Sequence, residues 1–120
     1  MTIGAAFSQF FNSFGIPAYS ATSVPDKAVM PYITYPLEIS SFDDGIVILA
    51  VNVWYRTESE AIPTAKAMEI GEAIGRGGCL LYVDGGYIWL NKGSPFIRAI
   101  QDEDNSVKRR GLNISAEFFT

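Results

Sequence analysis

Ile46-Val47-Ile48-Leu49-Ala50-Val51-Asn52-Val53-Trp54-Tyr55-Arg56 is the strongest strand signal in the chain, and its reading decides the fold class. β-Branched and aromatic residues dominate it, and Asp43-Asp44-Gly45 immediately before it is a turn signal. One face reads Val47, Leu49, Val51, Val53, Tyr55. The other reads Ile46, Ile48, Ala50, and then the polar or amphipathic Asn52, Trp54 and Arg56. A strand covered on one side alternates throughout, whereas this one alternates only in its second half. Its first half is therefore expected to be covered on both faces, with a neighbouring subunit as the natural second cover.

Outward from this strand, Tyr32–Ile39 alternates as a shorter strand, and Pro36 within it predicts an edge or a bulge. Prolines at 17, 25 and 31 predict an extended, irregular connection over Ile16–Pro31. Thr2–Phe14 carries Ile3, Phe7, Phe10, Phe11 and Phe14 at helical spacing, with Gly15 as the stop. No basic residue lies opposite that aromatic stripe, so it reads as a seam toward the core and not as a membrane anchor. On the other side, Thr57-Glu58-Ser59-Glu60 predicts a capping box, with Pro63 in the first turn of a helix running to about Ile74. Its buried stripe is Ala67, Ile70 and Ile74, and Gly75, Gly77 and Gly78 end it. Leu80–Val83 and Tyr87–Leu90 flank the hairpin signal Asp84-Gly85-Gly86. Phe96–Gln101 and Val107–Phe119 predict a second hairpin around Asp102–Ser106. The expected fold is α+β: one domain over residues 1–120, mainly an antiparallel sheet, with one helix across it and an N-terminal helix.

Composition narrows the chemistry. The chain has 120 residues, 48% of them hydrophobic and only 18% charged, so some apolar surface is expected to be reserved for partners. Its net charge of −4 argues against general attraction to nucleic acid or anionic lipid. The sequence contains no histidine and one cysteine, Cys79. That removes the commonest general base, nucleophile–histidine pairs, disulfide frameworks and multi-cysteine zinc sites. Met1–Ile16 has no basic residue and is not a secretory signal, and no run approaches a membrane span. A soluble, cytoplasmically made protein without cofactor or metal is expected.

The remaining candidate sites favour plain structural readings. Asp43-Asp44 and Asp102-Glu103-Asp104 lie at turns, where acidic residues serve local hydrogen bonds, and neither has calcium-loop spacing. Gly75-Arg76-Gly77-Gly78 follows a helix, whereas a phosphate loop precedes one. Cys79 has no activating histidine or lysine close in sequence and is expected to be inert. Trp54 and Trp89 are assigned to core or interface packing, since no basic groove accompanies either. The basic cluster Lys108-Arg109-Arg110 faces the acidic stretch across its own hairpin. With Asn105-Ser106 as a two-residue loop, Asp104 opposes Val107, Glu103 opposes Lys108 and Asp102 opposes Arg109. Ile97 then opposes Ile114, and Ala99 opposes Leu112. In that register Arg110 lies beyond the apolar stretch, on a projecting arm suited to contact with another subunit.

Several segments in order carry a family likeness: Pro31-Tyr32-Ile33-Thr34-Tyr35-Pro36-Leu37, Val51-Asn52-Val53-Trp54-Tyr55-Arg56, and a helix closing in Gly75–Gly78. Asp84-Gly85-Gly86 through Trp89-Leu90, Lys92-Gly93-Ser94-Pro95-Phe96 and Leu112-Asn113-Ile114 complete the set. In these the chain resembles the tail terminator, or tail completion, proteins of long-tailed bacteriophages. The resemblance covers about three quarters of the chain and contains no catalytic signature. It implies a non-enzymatic virion protein made in the bacterial host cytoplasm and located at the head–tail junction. Such proteins form a ring, usually of six subunits, that caps the tail tube, stops its growth and provides the surface for joining the capsid. The implied partners are further copies of the chain, the tail tube protein and a head-completion or connector protein. DNA passes through the channel without specific binding. The residues proposed for assembly are Trp54, Asp102, Glu103, Asp104, Lys108, Arg109 and Arg110. Head-completion or connector proteins of the same phages are the nearest alternative. A small ligand-binding α+β domain using Trp54 or Trp89 is an alternative from a different class.

Overall fold

A computed structural model describes residues 1–37 and 45–120. The chain begins with helix α1 (Ile3–Phe11), continued by a 3-10 turn over Asn12–Phe14. Strands β1 (Ala18–Ser20), β2 (Tyr32–Tyr35) and β3 (Ile46–Arg56) follow. Helix α2 (Ala61–Ile74) then leads into β4 (Cys79–Val83), β5 (Gly86–Ile100) and β6 (Val107–Phe119). All six strands form one sheet in the order β1-β2-β3-β6-β5-β4. Among the described strands only the β1–β2 pair is parallel. The α+β class, the mainly antiparallel sheet and the two helices match the sequence expectation.

Helix α1 starts where Thr2 Oγ1 accepts from the Ala5 N–H at 3.1 Å, and its end passes into Gly15 at φ +85°. Phe7, Phe11 and Phe14 are buried, and the Phe11 ring stacks on Tyr35 at 4.9 Å between centroids. Helix α1 packs against both edge strands, β1 and β4. Helix α2 packs against β3, β5 and β6 through Ala67, Ile70 and Ile74. Both helices thus lie on one face of the sheet, over Leu49, Val51, Val53, Ile88, Leu90, Leu112 and Ile114. Among the described residues no helix is long and apolar enough to cross a membrane.

Four expectations need correction. First, β2 is not an edge strand. It ends at Tyr35, before Pro36, and β1 pairs along its free side. Three residues after Pro17 are too few to show a period, which hid β1 within the stretch read as irregular. The part of the expected strand at Glu38–Ile39, and Asp43-Asp44 of the turn signal, lie outside the described residues.

Second, the capping box does not form. Ser59 Oγ accepts from the Ile62 N–H at 3.3 Å, and the Glu60 carboxylate turns instead to Arg110. Third, the two expected hairpins are one meander, because β5 is continuous from Gly86 to Ile100. Its pairing with β6 jumps from Lys92↔Ile114 to Ile97↔Leu112, so residues 93–96 bulge opposite Asn113 alone. Gly71, in the middle of α2, makes room for the bulge: a Cβ there would meet the Phe96 ring at 2.8 Å.

Fourth, the β5–β6 register is displaced by two residues, with Ala99 facing Arg110 and Ile100 facing Arg109. The cause is the acidic tip. Asp102 Oδ1 accepts from the Asp104 N–H at 3.0 Å, and Asp104 Oδ1 accepts from the Ser106 N–H at 2.9 Å. Two successive Asx turns make a longer tied loop than a two-residue turn, and the strands meet farther from it.

Candidate assembly surface

The helices cover one face of the sheet. No described residue covers the opposite face, so within this chain the first half of β3 is covered on one side only. Ile46 is 63% exposed and Ile48 is 59% exposed, and Ala50 beside them is exposed as well. Pleating places these three with Asn52 and Trp54, while Leu49, Val51 and Val53 point inward and are fully buried. Large exposed apolar residues aligned on one strand are a surface of the kind that partner contacts use.

An aromatic ladder ends in a cation at one end of this face. Tyr19 meets Tyr32 edge-on at 5.8 Å, Tyr32 lies 6.4 Å from Trp54, and the Arg109 guanidinium sits 4.7 Å over the Trp54 ring. Register produces the ladder, since Tyr32 pairs with Trp54 and Trp54 pairs with Arg109. The Trp54 indole N–H donates to Thr34 Oγ1 at 3.0 Å, and Arg109 Nε donates to Asn52 Oδ1 at 2.8 Å. Trp54 and Arg109 are therefore held rigidly on the open face. At the other end Tyr82, Tyr87, Phe119 and Trp89 form a second aromatic cluster, with Tyr87 stacked on Phe119 at 5.3 Å. The Trp89 N–H donates to the Gly77 carbonyl at 3.0 Å, so the glycine run that ends α2 also docks this ring. Between the clusters a groove of about 320 Å³ follows the β5 bulge, lined by Ile48, Ala50, Pro95, Arg98, Ile100 and Gly111.

The structure separates the hairpin residues proposed for assembly. Arg109 and Trp54 lie on the open face together. Arg110 does not project at all: it is 4% exposed and points into the helix side. Its Nη2 donates to Glu60 Oε2 at 2.8 Å and to the Glu60 carbonyl at 3.1 Å, and its Nε donates to Thr64 Oγ1 at 3.1 Å. The displaced register moves Arg110 opposite Ala99, under the start of α2, where its fork fastens helix to sheet. Asp102 and Asp104 are engaged within the loop. Arg56 Nη1 donates to Asp104 Oδ2 at 3.0 Å, and the Ser106 hydroxyl donates to Asp104 Oδ1 at 2.7 Å. The Ser106 hydroxyl, its N–H and then Arg56 hold the Asp104 carboxyl down at about 2. Lys108 donates to the Asn105 carbonyl and lies 3.9 Å from Glu60, not from Glu103. Glu103 stays exposed at the tip.

No constellation among the described residues points to catalysis. Among the described residues no group of three or more Cys, Asp or Glu is placed to hold a metal ion. Half-burial pushes the Cys79 thiol up from its ordinary value, away from the thiolate. The second groove, about 420 Å³ between α1 and β4, is lined mainly by Met1, Ala6, Phe10, Leu80 and Tyr82 and offers little directional chemistry.

No protein-family model matches the chain, and no curated protein matches it in sequence. A similar solved structure is a chain from the virion of a native gene transfer agent particle. It superposes with a TM-score of 0.69 at 18% identity, over 98% of this chain and 94% of that one. The likeness is one of fold, end to end.

Proposed function

We propose that this protein is a structural component of a phage-like virion and that, within it, it terminates the tail. The carrying observation is the likeness in fold, over nearly the whole of both chains, to a protein of a gene transfer agent virion. An uncovered sheet face that carries Ile46 and Ile48 supports the reading, since a protein that works by assembly keeps such surface for its partners. The Val51–Arg56 strand end, Asp84-Gly85-Gly86 and Lys92–Phe96 add the resemblance to tail terminators.

In this reading copies of the chain close into a ring, most naturally a hexamer, on the end of the tail tube. A head-to-tail contact that closes gives growth a defined stop. One side of the ring meets the tube protein, and the other meets a head-completion or connector protein. The chain's net charge of −4 lets DNA pass without being gripped. The reading assigns the protein no catalytic step and no cofactor.

The test is deletion of the gene followed by electron microscopy of the particles. Unjoined capsids with overlong or uncapped tails are expected. Normal tails beside capsids that leak DNA identify a head-completion protein instead, and normal joined particles refute both.

A further inference from the structure

The open face of the sheet is not the only apolar surface without a partner. On the far side of the domain, α2 turns Ile62, Ala65 and Met68 to solvent, with Ile62 51% and Met68 53% exposed. Exposed acids flank this stripe: Glu58 before the helix, and Glu69 and Glu72 along it. Glu69 is held by Lys66 at 3.1 Å, while Glu58 and Glu72 have no basic partner among the described residues. The groove on the sheet carries the opposite charge. Arg98 and Arg109 stand over it, and neither has a carboxylate partner among the described residues. Glu117 is on the same sheet face but at its other end, in register with Ile46 and Trp89.

Charge decides between the ways two copies can pair. Sheet face against sheet face, centred on the groove, brings Arg98 and Arg109 toward their own counterparts, and helix against helix, centred on the stripe, does the same for Glu58 and Glu72. Like charges set opposite one another in a contact are unfavourable. Helix stripe against sheet groove buries apolar surface on both partners and sets acids opposite bases. The two surfaces lie on opposite sides of one chain, so this contact is heterologous and repeats from copy to copy.

We propose that the groove on the open sheet face, along Ile48, Ala50 and Arg98, receives the outer stripe of α2, Ile62, Ala65, Met68 and Glu72, from the next copy of this chain. The proposal rests on the ring reading above and specifies its interface.

Cysteine cross-linking in a Cys79→Ser background tests it, on the purified protein and on assembled particles, with copper–phenanthroline as oxidant. Ile48→Cys and Met68→Cys in one chain are expected to give a covalent ladder that extends beyond the dimer. Each single variant is expected to give no covalent dimer, and an equal mixture of the two only dimers. Covalent dimers from Ile48→Cys alone indicate a two-fold contact and overturn the proposal. So does the absence of a ladder in a sample where native mass spectrometry shows a ring. Charge reversal is the second arm. Glu72→Lys and Arg98→Glu are each expected to weaken self-association at least about tenfold, and together to restore it to within about threefold of wild type. Equal loss in the double variant overturns the pairing. A wild-type chain that stays monomeric in solution and on particles refutes the ring reading itself, and this interface with it.

Discussion

Arg110 offers the sharpest test of how this domain is held together. The side chain is nearly buried, and its fork reaches Glu60 Oε2 at 2.8 Å, the Glu60 carbonyl at 3.1 Å and Thr64 Oγ1 at 3.1 Å. A fourth bond, from Nη1, goes to the Arg109 carbonyl at 3.2 Å. Arg110→Ala removes these charge-assisted bonds together with the packing of the aliphatic stem. Leaving a buried charge unpaired costs about 3–5 kcal/mol. Here the partner carboxylate of Glu60 is 69% exposed and regains water, so the loss falls lower, at about 2–4 kcal/mol. For a chain of 120 residues each kcal/mol moves the melting temperature by about 4 °C, which gives a drop of roughly 8–16 °C. Arg110→Met keeps the stem and should recover about 1 kcal/mol of that loss. Arg110→Glu sets a buried carboxylate beside Glu60 and should be the worst of the three. The assay is thermal unfolding by circular dichroism at low protein concentration, where self-association contributes little. A melting temperature for Arg110→Ala within about 2 °C of wild type refutes the anchoring role. So does an Arg110→Glu variant no less stable than Arg110→Ala.

Three further predictions follow from local geometry. The Asp104 carboxyl, held at about 2 in the folded chain against an ordinary 3.8, keeps the hairpin tip tied above the ordinary value. That contribution to stability is lost as pH falls through about 2; carbon-detected NMR should show Asp104 titrating there, and a midpoint near 3.8 contradicts the tie. Gly78→Ala should destabilise by about 1–3 kcal/mol in urea unfolding, because Gly78 sits at φ +86° and a Cβ would meet the Leu90 carbonyl at 2.5 Å. Gly4→Ala, in α1 with nothing within 4 Å of the added carbon, is the matched control and should be neutral or mildly stabilising. Cys79, its thiol pushed up by burial, should react with Ellman's reagent at pH 8 more slowly than free cysteine, and at the free rate in denaturant.

What the sequence determined by itself was the set of elements with strong local signals. β3 was legible residue for residue, because a run of β-branched side chains has one compatible conformation and Gly45 marks its start. The phenylalanine seam of α1, the stripe of α2 and the Asp84-Gly85 turn were legible for the same reason: each is written in residues a few positions apart. The missing histidine also removed several kinds of catalysis without any coordinates. Tertiary structure decided everything that depends on what lies opposite. Three residues of β1 become a strand only because β2 supplies a partner. The four-residue bulge of β5 fits against α2 only because Gly71 leaves room there for the Phe96 ring. The buried side of Arg110 was misread in the sequence, and the cover of the second face of β3 was not decided within it, for one reason. An apolar side chain does not say whether its cover belongs to the same chain or to another. A charged one does not say whether it meets water or a partner fifty residues away, as Arg110 meets Glu60. Burial is a property of the assembled surface, and local sequence carries only the capacity for it.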